Sequence, residues 1–176
     1  LLRAKEKLRA EKIEIQLPGK QEMSERLNMV LRTLYLLFNE GYYSSSNNAV
    51  LRKDLCAEAI RLTYMLVENE ETNAPAANGL LALMCFQASR FEARTGADGK
   101  IILYDDQDAS LWDAELIARG KSFLNAACKS NEVSKYHLEA SIAYWHTFKD
   151  DSKEKWESIL QLYNHLLLVE YSPVAA

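Results

Sequence analysis

The sequence predicts an all-α protein. Apolar residues recur along most of the chain at the three- and four-residue spacing of an amphipathic helix, for example over residues 23–37. Short turn-forming segments separate these helical stretches, which indicates helices joined by short loops. Only residues 101–103 resemble a strand, and they follow an Asp98-Gly99 turn. This pattern predicts one short β-hairpin-like excursion near residues 96–104.

Six helices are expected after a basic N-terminal segment that the Pro18-Gly19 loop ends. The first of them is predicted to end near Gly41, because glycine tolerates the positive φ of a residue that follows a helix. Glu40 then lies at the negative end of the helix dipole, so we expect a cation from a neighbouring helix, Arg61 or Arg90, to compensate it. The predicted helices cover about residues 23–41, 51–66, 80–94, 110–129, 136–148 and 153–171.

Several spacings indicate a repeat of helical hairpins. The triplet Leu66–Glu68 recurs as Leu168–Glu170, an offset of roughly three periods of the 34-residue tetratricopeptide repeat. Trp156–Tyr163 follows the first-helix pattern of that repeat, and Ala82–Phe86 and Ala140–Tyr144 follow its second-helix pattern. In such arrays small residues let paired helices approach, and aromatic residues fill the gaps between pairs. The sequence therefore predicts a tetratricopeptide-like array.

Composition excludes several classes of protein. The chain has 176 residues, of which 48% are hydrophobic and 26% charged, a mixture typical of a globular domain. No apolar run is long enough to cross a bilayer, so neither a membrane location nor a membrane partner is expected. The formal net charge of -4 argues against nucleic-acid binding by the whole chain. The N-terminal segment is the basic exception, with Arg3, Lys5, Lys7, Arg9 and Lys12.

No catalytic or metal-binding pattern is found, so neither enzymatic activity nor a cofactor is expected. Cys56, Cys85 and Cys128 lie in apolar helical patterns and are predicted to be free, buried thiols in a reducing compartment. The three histidines are too far apart in helical register to form a metal-ligand pair. The acidic residues of 105–113 lack the spacing of a calcium loop, so helix capping is the expected role for them.

Five segments together resemble one family. Leu34–Ser46, Arg52–Leu62, Gly79–Arg94 and Leu103–Gly120 occur in the order in which they recur in the C-terminal tetratricopeptide-like extension of bacterial extracytoplasmic-function sigma factors, members of the sigma-70 family. The basic segment Leu1–Pro18 resembles the end of sigma region 4 and the linker that leaves it. The resemblance covers essentially the whole chain.

The resemblance implies a role in transcription initiation in the bacterial cytoplasm. The sigma regions that bind core RNA polymerase and promoter DNA are not present in these residues, so these partners would be bound outside this chain. Residues 1–20 would be the basic linker, and residues 21–176 would be the tetratricopeptide-like domain, truncated at its C-terminus just as Ser172-Pro173 begins another helix. This domain would regulate the sigma factor by contacting its own sigma regions or a regulatory protein.

A set of polar and aromatic residues carries over from the family pattern as an expected interaction or structural network. If these groups converge in a cleft, an alternative function is the sensing of a small ligand that controls the sigma factor. The set contains Asn39, Glu40, Tyr42, Asp54, Glu58, Arg61, Arg90, Asp106, Gln107, Asp108, Trp112 and Asp113.

Overall fold

A computed structural model describes residues 19–43, 51–96, 100–130 and 132–169, together with residues 3, 6, 7, 10 and 11. Most of the predicted basic linker at residues 1–20 therefore lies outside the described residues. So do the polar segment Ser44–Asn48, the Asp98-Gly99 turn and the helix expected to begin at Ser172-Pro173.

The prediction of an all-α fold is confirmed. In the part of the chain that the structure describes from Gly19 onward, no strand is present and no helix is long and apolar enough to span a membrane. Two 3-10 turns lie in the connection between α4 and α5. The α-helices in chain order are α1 (Lys20–Tyr42), α2 (Lys53–Glu68), α3 (Pro75–Ala88), α4 (Phe91–Arg94), α5 (Ala114–Ala127), α6 (Lys135–Trp145) and α7 (Lys153–Val169).

The core of the fold is α3, which is apolar on every side. It packs against α1, α2, α5 and α6, and its residues from Ala77 to Phe86 are all buried. A helix without a polar face must be covered all round, which is why it takes the central position. Pro75 occupies the first helical turn, where its missing N–H costs no hydrogen bond. Gly120 of α5 lies against the Phe86 ring so closely that a Cβ there would be 2.7 Å from the ring.

The helices pack as a succession of neighbouring pairs, compatible with a tetratricopeptide-like array. The principal pairs are α1 with α2, α3 with α5, and α6 with α7, and α3 also packs against α6. Ala82 and Ala140 are fully buried on α3 and α6, and the rings of Phe86 and Tyr144 lie 5.5 Å apart between these helices. The two motifs with the same small-to-aromatic spacing therefore meet in the core, where they fill the space between successive pairs.

The repeat is less regular than the predicted 34-residue period. Between the end of α2 at Glu68 and the end of α7 at Val169 there are two helical pairs, α3 with α5 and α6 with α7. A 34-residue period would place three pairs in this stretch. The difference comes from the long connection between α3 and α5. The single helix predicted over residues 80–94 breaks after Ala88, and the freed carbonyl of Ser89 accepts a hydrogen bond from the Asp113 N–H at 2.8 Å. This bond ties the end of α3 to the start of α5.

The predicted hairpin-like excursion is present as a single antiparallel bridge between Thr95 and Ile101. The Gly96 N–H donates to the Lys100 carbonyl at 2.8 Å, and the Ile102 N–H donates to the Arg94 carbonyl at 2.8 Å. This short pairing directs the chain from α4 back towards α5.

The helix ends near Gly41 as predicted, but Gly41 is not the residue that follows it. Gly41 is the next-to-last residue of α1, which ends at Tyr42. Its role is to allow close approach of α2: a Cβ at this position would be 2.7 Å from the Cys56 Sγ and 2.9 Å from the Arg52 carbonyl oxygen. The Gly41 carbonyl also accepts a hydrogen bond from the Arg52 N–H at 2.9 Å. The glycine is therefore required by packing and not by a positive φ.

All three cysteines are free, and two of them are buried as predicted. Burial raises the pKa of the Cys56 thiol to about 11 and that of the Cys85 thiol to about 12. Cys128 departs from the prediction because it follows the end of α5 and is exposed there.

The substitution Gly41→Ala is expected to lower the free energy of unfolding by about 1–3 kcal/mol, because the added methyl group overlaps the backbone of α2. Urea unfolding followed by circular dichroism measures the change. Gly19→Ala is the matched control, since nothing lies within 4 Å of a Cβ at that position. Equal stability of the two variants would contradict the close approach of α1 and α2.

Ellman's reagent is expected to modify one thiol in the native chain and three in urea. Cys128 is accessible, whereas Cys56 and Cys85 are buried and their raised pKa values disfavour the reactive thiolate. Cys128→Ser should abolish the rapid native reaction and leave two thiols that react after unfolding. Rapid native labelling of that variant would show that α2 or α3 is open to solvent.

Candidate functional site

A cavity of about 810 Å³ lies between α1, α3, α6 and α7. Its volume falls within the range of roughly 300–1,000 Å³ that is usual for small-molecule sites. Arg90 and Tyr104, which follow α3, also contribute to its wall. The lining residues are Arg32, Tyr35, Leu36, Asn39, Tyr43, Leu83, Gln87, Arg90, Tyr104, Lys135, Glu139, Ile142, Ala143, His146, Tyr163 and Leu166.

One face of α1 forms the first wall of this cavity. Arg32, Tyr35, Leu36, Asn39 and Tyr43 are three or four residues apart, so they project from the same side of the helix. Other residues of α1 are buried against α2 and α3. The helix therefore has an apolar face towards the core and a mixed aromatic and polar face towards the cavity.

The α6 wall is connected to α1 across the cavity by a hydrogen bond. The Tyr35 hydroxyl donates to Oε1 of Glu139 at 3.2 Å. Burial raises the pKa of Tyr35 above its ordinary value, and the Glu139 carboxylate raises it further. The Lys135 Nζ lies 5.0 Å from the centroid of the Tyr35 ring, a cation–π distance. Aromatic, cationic and anionic groups thus face each other at this end of the cavity.

Tyr104 organises the other end of the cavity. Its hydroxyl donates to the Phe148 carbonyl at 2.8 Å. The Lys155 Nζ donates to the same hydroxyl at 3.2 Å and to the Phe148 and Asp150 carbonyls at 2.6 and 2.9 Å. Lys155 is only 1% exposed, and these three acceptors replace its hydration. The tyrosine and the buried lysine together connect the segment before α5 to the loop between α6 and α7.

Three cationic side chains lie over the Tyr104 ring. The guanidinium carbon of Arg90 is 5.7 Å from the ring centroid, and the Nζ atoms of Lys149 and Lys155 are 5.1 and 5.4 Å from it. The electron-rich face of the ring stabilises cations at such distances. The positive charge beside this wall is therefore held in place by an aromatic ring and by backbone carbonyls.

Three side chains of the wall carry buried polar atoms without a hydrogen-bond partner among the described residues: Oε1 of Gln87, Nε of Arg90 and Nδ1 of His146. A buried polar atom left unpaired costs about 1–3 kcal/mol, so a cluster of them is unusual in a purely structural region. Burial, together with the nearby charges of Arg90 and Lys155, lowers the pKa of His146 to about 4. His146 is therefore a neutral imidazole at pH 7.

The structure places only part of the expected network at the cavity. Asn39 and Arg90 line it. Tyr42 lies behind its wall, buried against Phe38, and its hydroxyl accepts hydrogen bonds from Arg94 at 3.3 Å and Arg90 at 3.5 Å. These residues connect α1 to the region around α4.

Glu40 has a different cationic neighbour from the two that the sequence suggested. Arg61 is bound to Glu58, and Arg90 contacts Tyr42 and Tyr104. The pKa of Arg52 is raised, mainly by its hydrogen bond to Asp54 and to a smaller extent by the charge of Glu40. The Glu40 carboxylate therefore acts on the pKa of Arg52.

Asp54, Glu58 and Arg61 lie on exposed parts of α2, away from the cavity lining. Arg52 donates to both oxygens of Asp54, and Arg61 donates to both oxygens of Glu58 at 2.7 and 2.8 Å. The Glu58–Arg61 pair has the predicted spacing of three residues. Exposed pairs of this kind contribute little to stability, so these residues belong to a solvated helix face.

The remaining network residues shape the connection to α5. The Asp113 side chain accepts from the Leu116 N–H at 2.9 Å and caps α5, and Asp108 accepts from the Ser110 N–H at 2.9 Å. Asp113 is therefore the capping residue of α5, which begins at Ala114 and not at residue 110 as predicted. Gln107 is buried and donates to the Ile102 carbonyl at 3.1 Å, and the Trp112 ring lies 6.0 Å from that of Tyr104. Asp106 lies in a 3-10 turn.

Metal binding gains no support from the acidic residues of this connection. Within the described residues, no group of three or more histidine, cysteine or acidic side chains could hold a metal ion. His137 has a structural role, because its Nδ1 lies 2.8 Å from the Ser134 hydroxyl and its Nε2 lies 3.1 Å from the Ala127 carbonyl oxygen. It fixes the start of α6 to the end of α5.

The residues that sequence reasoning missed are those that meet only through long-range packing. Tyr35 lies on α1, whereas Glu139 on α6 and His146 directly after it are more than a hundred residues further along the chain. The spacing of Tyr35 and Asn39 on one helix face was a usable signal on α1. Nothing in the local sequence of α6 indicated which of its polar residues faces inward.

Comparison with known proteins provides the family. A family model described as a family of unknown function, DUF6596, matches residues 26–128, which is more than half of the chain. The chain belongs to the DUF6596 family. An uncharacterized protein of Rhizobium meliloti (strain 1021) is 34% identical over 175 residues, which are 99% of this chain and 41% of that protein. The chain thus spans less than half the length of this curated relative. No solved structure matches the chain.

The DUF6596 region supplies only half of the cavity. It contains α1 from Arg26 onward, together with α2, α3, α4 and α5. The opposite wall comes from α6 and α7, which follow the region matched by the DUF6596 model. The cavity is therefore formed between the family region and the helices that come after it.

The pH dependence of stability is expected to include a contribution from His146. The unfolded histidine takes up a proton below about pH 6.5, whereas the native residue remains neutral down to about pH 4. Between these values the unfolded state binds more protons, so stability falls as the pH falls through this window. Urea unfolding at pH 7 and pH 5 measures the loss.

His146→Gln should reduce that loss, because the variant lacks the group that titrates. His165→Gln is the control, since His165 is an exposed residue of α7, and it should keep the pH dependence of the unmodified chain. An unchanged pH dependence in His146→Gln would contradict the buried, neutral state of this imidazole.

Proposed function

We propose that this chain is a regulatory domain of a sigma factor, which acts by binding a protein segment in its interhelical cavity. The proposal is supported by the resemblance of the chain to sigma-factor extensions and by the length of the Rhizobium meliloti relative, which leaves room for further domains. The bound segment would come from the sigma regions themselves or from a regulatory protein. Core RNA polymerase and promoter DNA would be contacted elsewhere in the complete protein, in the cytoplasm.

The observation that supports binding best is the cavity between α1, α3, α6 and α7. In helical-repeat arrays, surfaces formed by successive helices bind partner segments. Occupation of the cavity would favour one arrangement of the regulatory domain relative to the sigma regions. Such a population shift requires the bound segment to have different affinities for the competent and incompetent arrangements.

A second candidate function is the sensing of a small ligand. It is favoured by the unpaired polar atoms of Gln87, Arg90 and His146 in the cavity wall. A ligand with complementary groups would stabilise the closed packing of these helices and transmit the signal through the same domain.

In vitro transcription tests the proposal directly. The complete gene product that contains these residues is combined with core RNA polymerase and fragmented genomic DNA of the source organism, and transcript 5′ ends are sequenced. Site-specific initiation is expected only with the protein present. Deletion of residues 19–169 should change the amount of these transcripts at least severalfold, because the regulatory domain is lost.

A cavity variant tests whether the cavity itself is needed for regulation. Ala143→Leu places additional volume in the cavity wall, and its effect should resemble that of the deletion. Glu58→Gln alters an exposed residue of α2 and should leave transcription unchanged. Absence of site-specific initiation would refute the sigma-factor assignment. Initiation that is unaffected by the deletion would refute a regulatory role.

A further inference from the structure

We propose that the cavity binds a small anionic ligand that carries an acid group on an apolar or aromatic body. This inference deepens the ligand-sensing function proposed above and rests on the same cavity. Three cationic side chains line it, Arg32, Arg90 and Lys135, against a single carboxylate, that of Glu139. Each cation lies on a different structural segment: α1, the turn between α3 and α4, and the first turn of α6.

The sign of this charge is opposite to that of the molecule as a whole. The chain has a formal net charge of -4, so a positive cavity is a local feature and not a consequence of general basicity. Lys149 and Lys155 add to the positive potential from behind the Tyr104 wall. Glu139 is already engaged by the Tyr35 hydroxyl, which stabilises its negative charge in place. The acid group of the ligand would therefore meet an excess of cations.

The neutral state of His146 supports an anionic ligand. The charges of Arg90 and Lys155 and the burial of the ring disfavour its protonation in the free chain. An anion in the cavity would offset these charges and make protonation of the imidazole easier. The positive charges that help to keep His146 neutral are thus charges that an acid group would offset.

The apolar body of the ligand follows from the remaining wall. Leu36, Leu83, Ile142 and Leu166 supply aliphatic surface from four different helices, and the Tyr35 and Tyr104 rings flank it. Burial of apolar surface stabilises a complex by about 25 cal/mol per Å². The Gln87 side chain adds an amide to the same wall. A small inorganic anion would leave most of this surface without a partner.

Two naphthalene dyes that differ by one acid group test the charge preference. 8-Anilinonaphthalene-1-sulfonate carries a sulfonate, and N-phenyl-1-naphthylamine has the same ring framework without it. Fluorescence titration at pH 7 and low salt should give at least tenfold tighter binding of the sulfonate. Raising the salt concentration should weaken binding of the sulfonate dye and leave binding of the uncharged dye unchanged. Equal affinity of the two dyes would overturn the proposal.

Two substitutions test whether these cations are responsible. Arg32→Gln and Lys135→Gln should each weaken binding of the sulfonate dye by about threefold to tenfold, since each removes a charge-assisted contact. Binding of the uncharged dye should stay within twofold. Arg26→Gln is the matched control, because Arg26 is an exposed arginine of α1 that does not line the cavity. Sulfonate binding that is insensitive to both cavity substitutions would overturn the assignment.

Nuclear magnetic resonance locates the bound dye. The ring-proton signal of His146 should shift when the sulfonate dye is added, and its titration midpoint should rise because the anion favours the imidazolium. The signal of the exposed His165 is the internal reference and should not move. Shifts of His165 alone would place the dye elsewhere and refute the proposal. These measurements need neither polymerase nor DNA, so a failure of the sigma-factor assignment leaves them interpretable.

Displacement distinguishes a small ligand from an acidic protein segment. A hexaglutamate peptide, which offers carboxylates without an apolar body, should displace the sulfonate dye only at concentrations at least tenfold above those needed for 1-naphthalenesulfonate. Displacement by the peptide at the lower concentration would overturn the small-molecule assignment in favour of an acidic segment.

Discussion

Burial of α3 on every side is the constraint from which the rest of the structure follows. A helix of this composition cannot face water, so α1, α2, α5 and α6 must all pack around it. Leu83 and Gln87 of the same helix also line the cavity, together with residues of α1, α6 and α7. One wall of the candidate site is therefore part of the central helix.

Close approach of helices depends on small residues at particular points. Gly41 lets α1 contact the start of α2, and Gly120 lets α5 lie against the Phe86 ring. Neither contact needs an unusual backbone conformation, and both need the absence of a side chain. The same logic applies to Ala82 and Ala140, which are fully buried where α3 and α6 are packed. Small residues set the distances between helices, and aromatic residues occupy the space that remains.

Helices were predictable from the sequence because their apolar spacing is local, whereas the site was not. The break after Ala88 escaped prediction because the Asp113 N–H that binds the freed Ser89 carbonyl lies 24 residues further along the chain. The role of Gly41 escaped prediction because one sequence does not distinguish a glycine that ends a helix from a glycine that lets a neighbouring helix approach. Asn39 and Arg90 were identified through family resemblance, but the exposed pair Glu58–Arg61 was identified by the same route and lies elsewhere. A family pattern records which residues recur and does not separate a cavity wall from a solvated face.

The position of the cavity bears on how function should be assigned to this family. The matched region ends at Cys128, before α6 begins, so the family region alone contains Arg32 and Arg90 but neither Lys135 nor Glu139. The Tyr35–Glu139 hydrogen bond and the contacts of Tyr104 with Phe148 and Lys155 all cross this boundary. Any ligand that fills the cavity must therefore hold the helices on the two sides of the boundary together. Because α6 also packs against α3, a change in the position of α6 would alter the packing of the central helix itself.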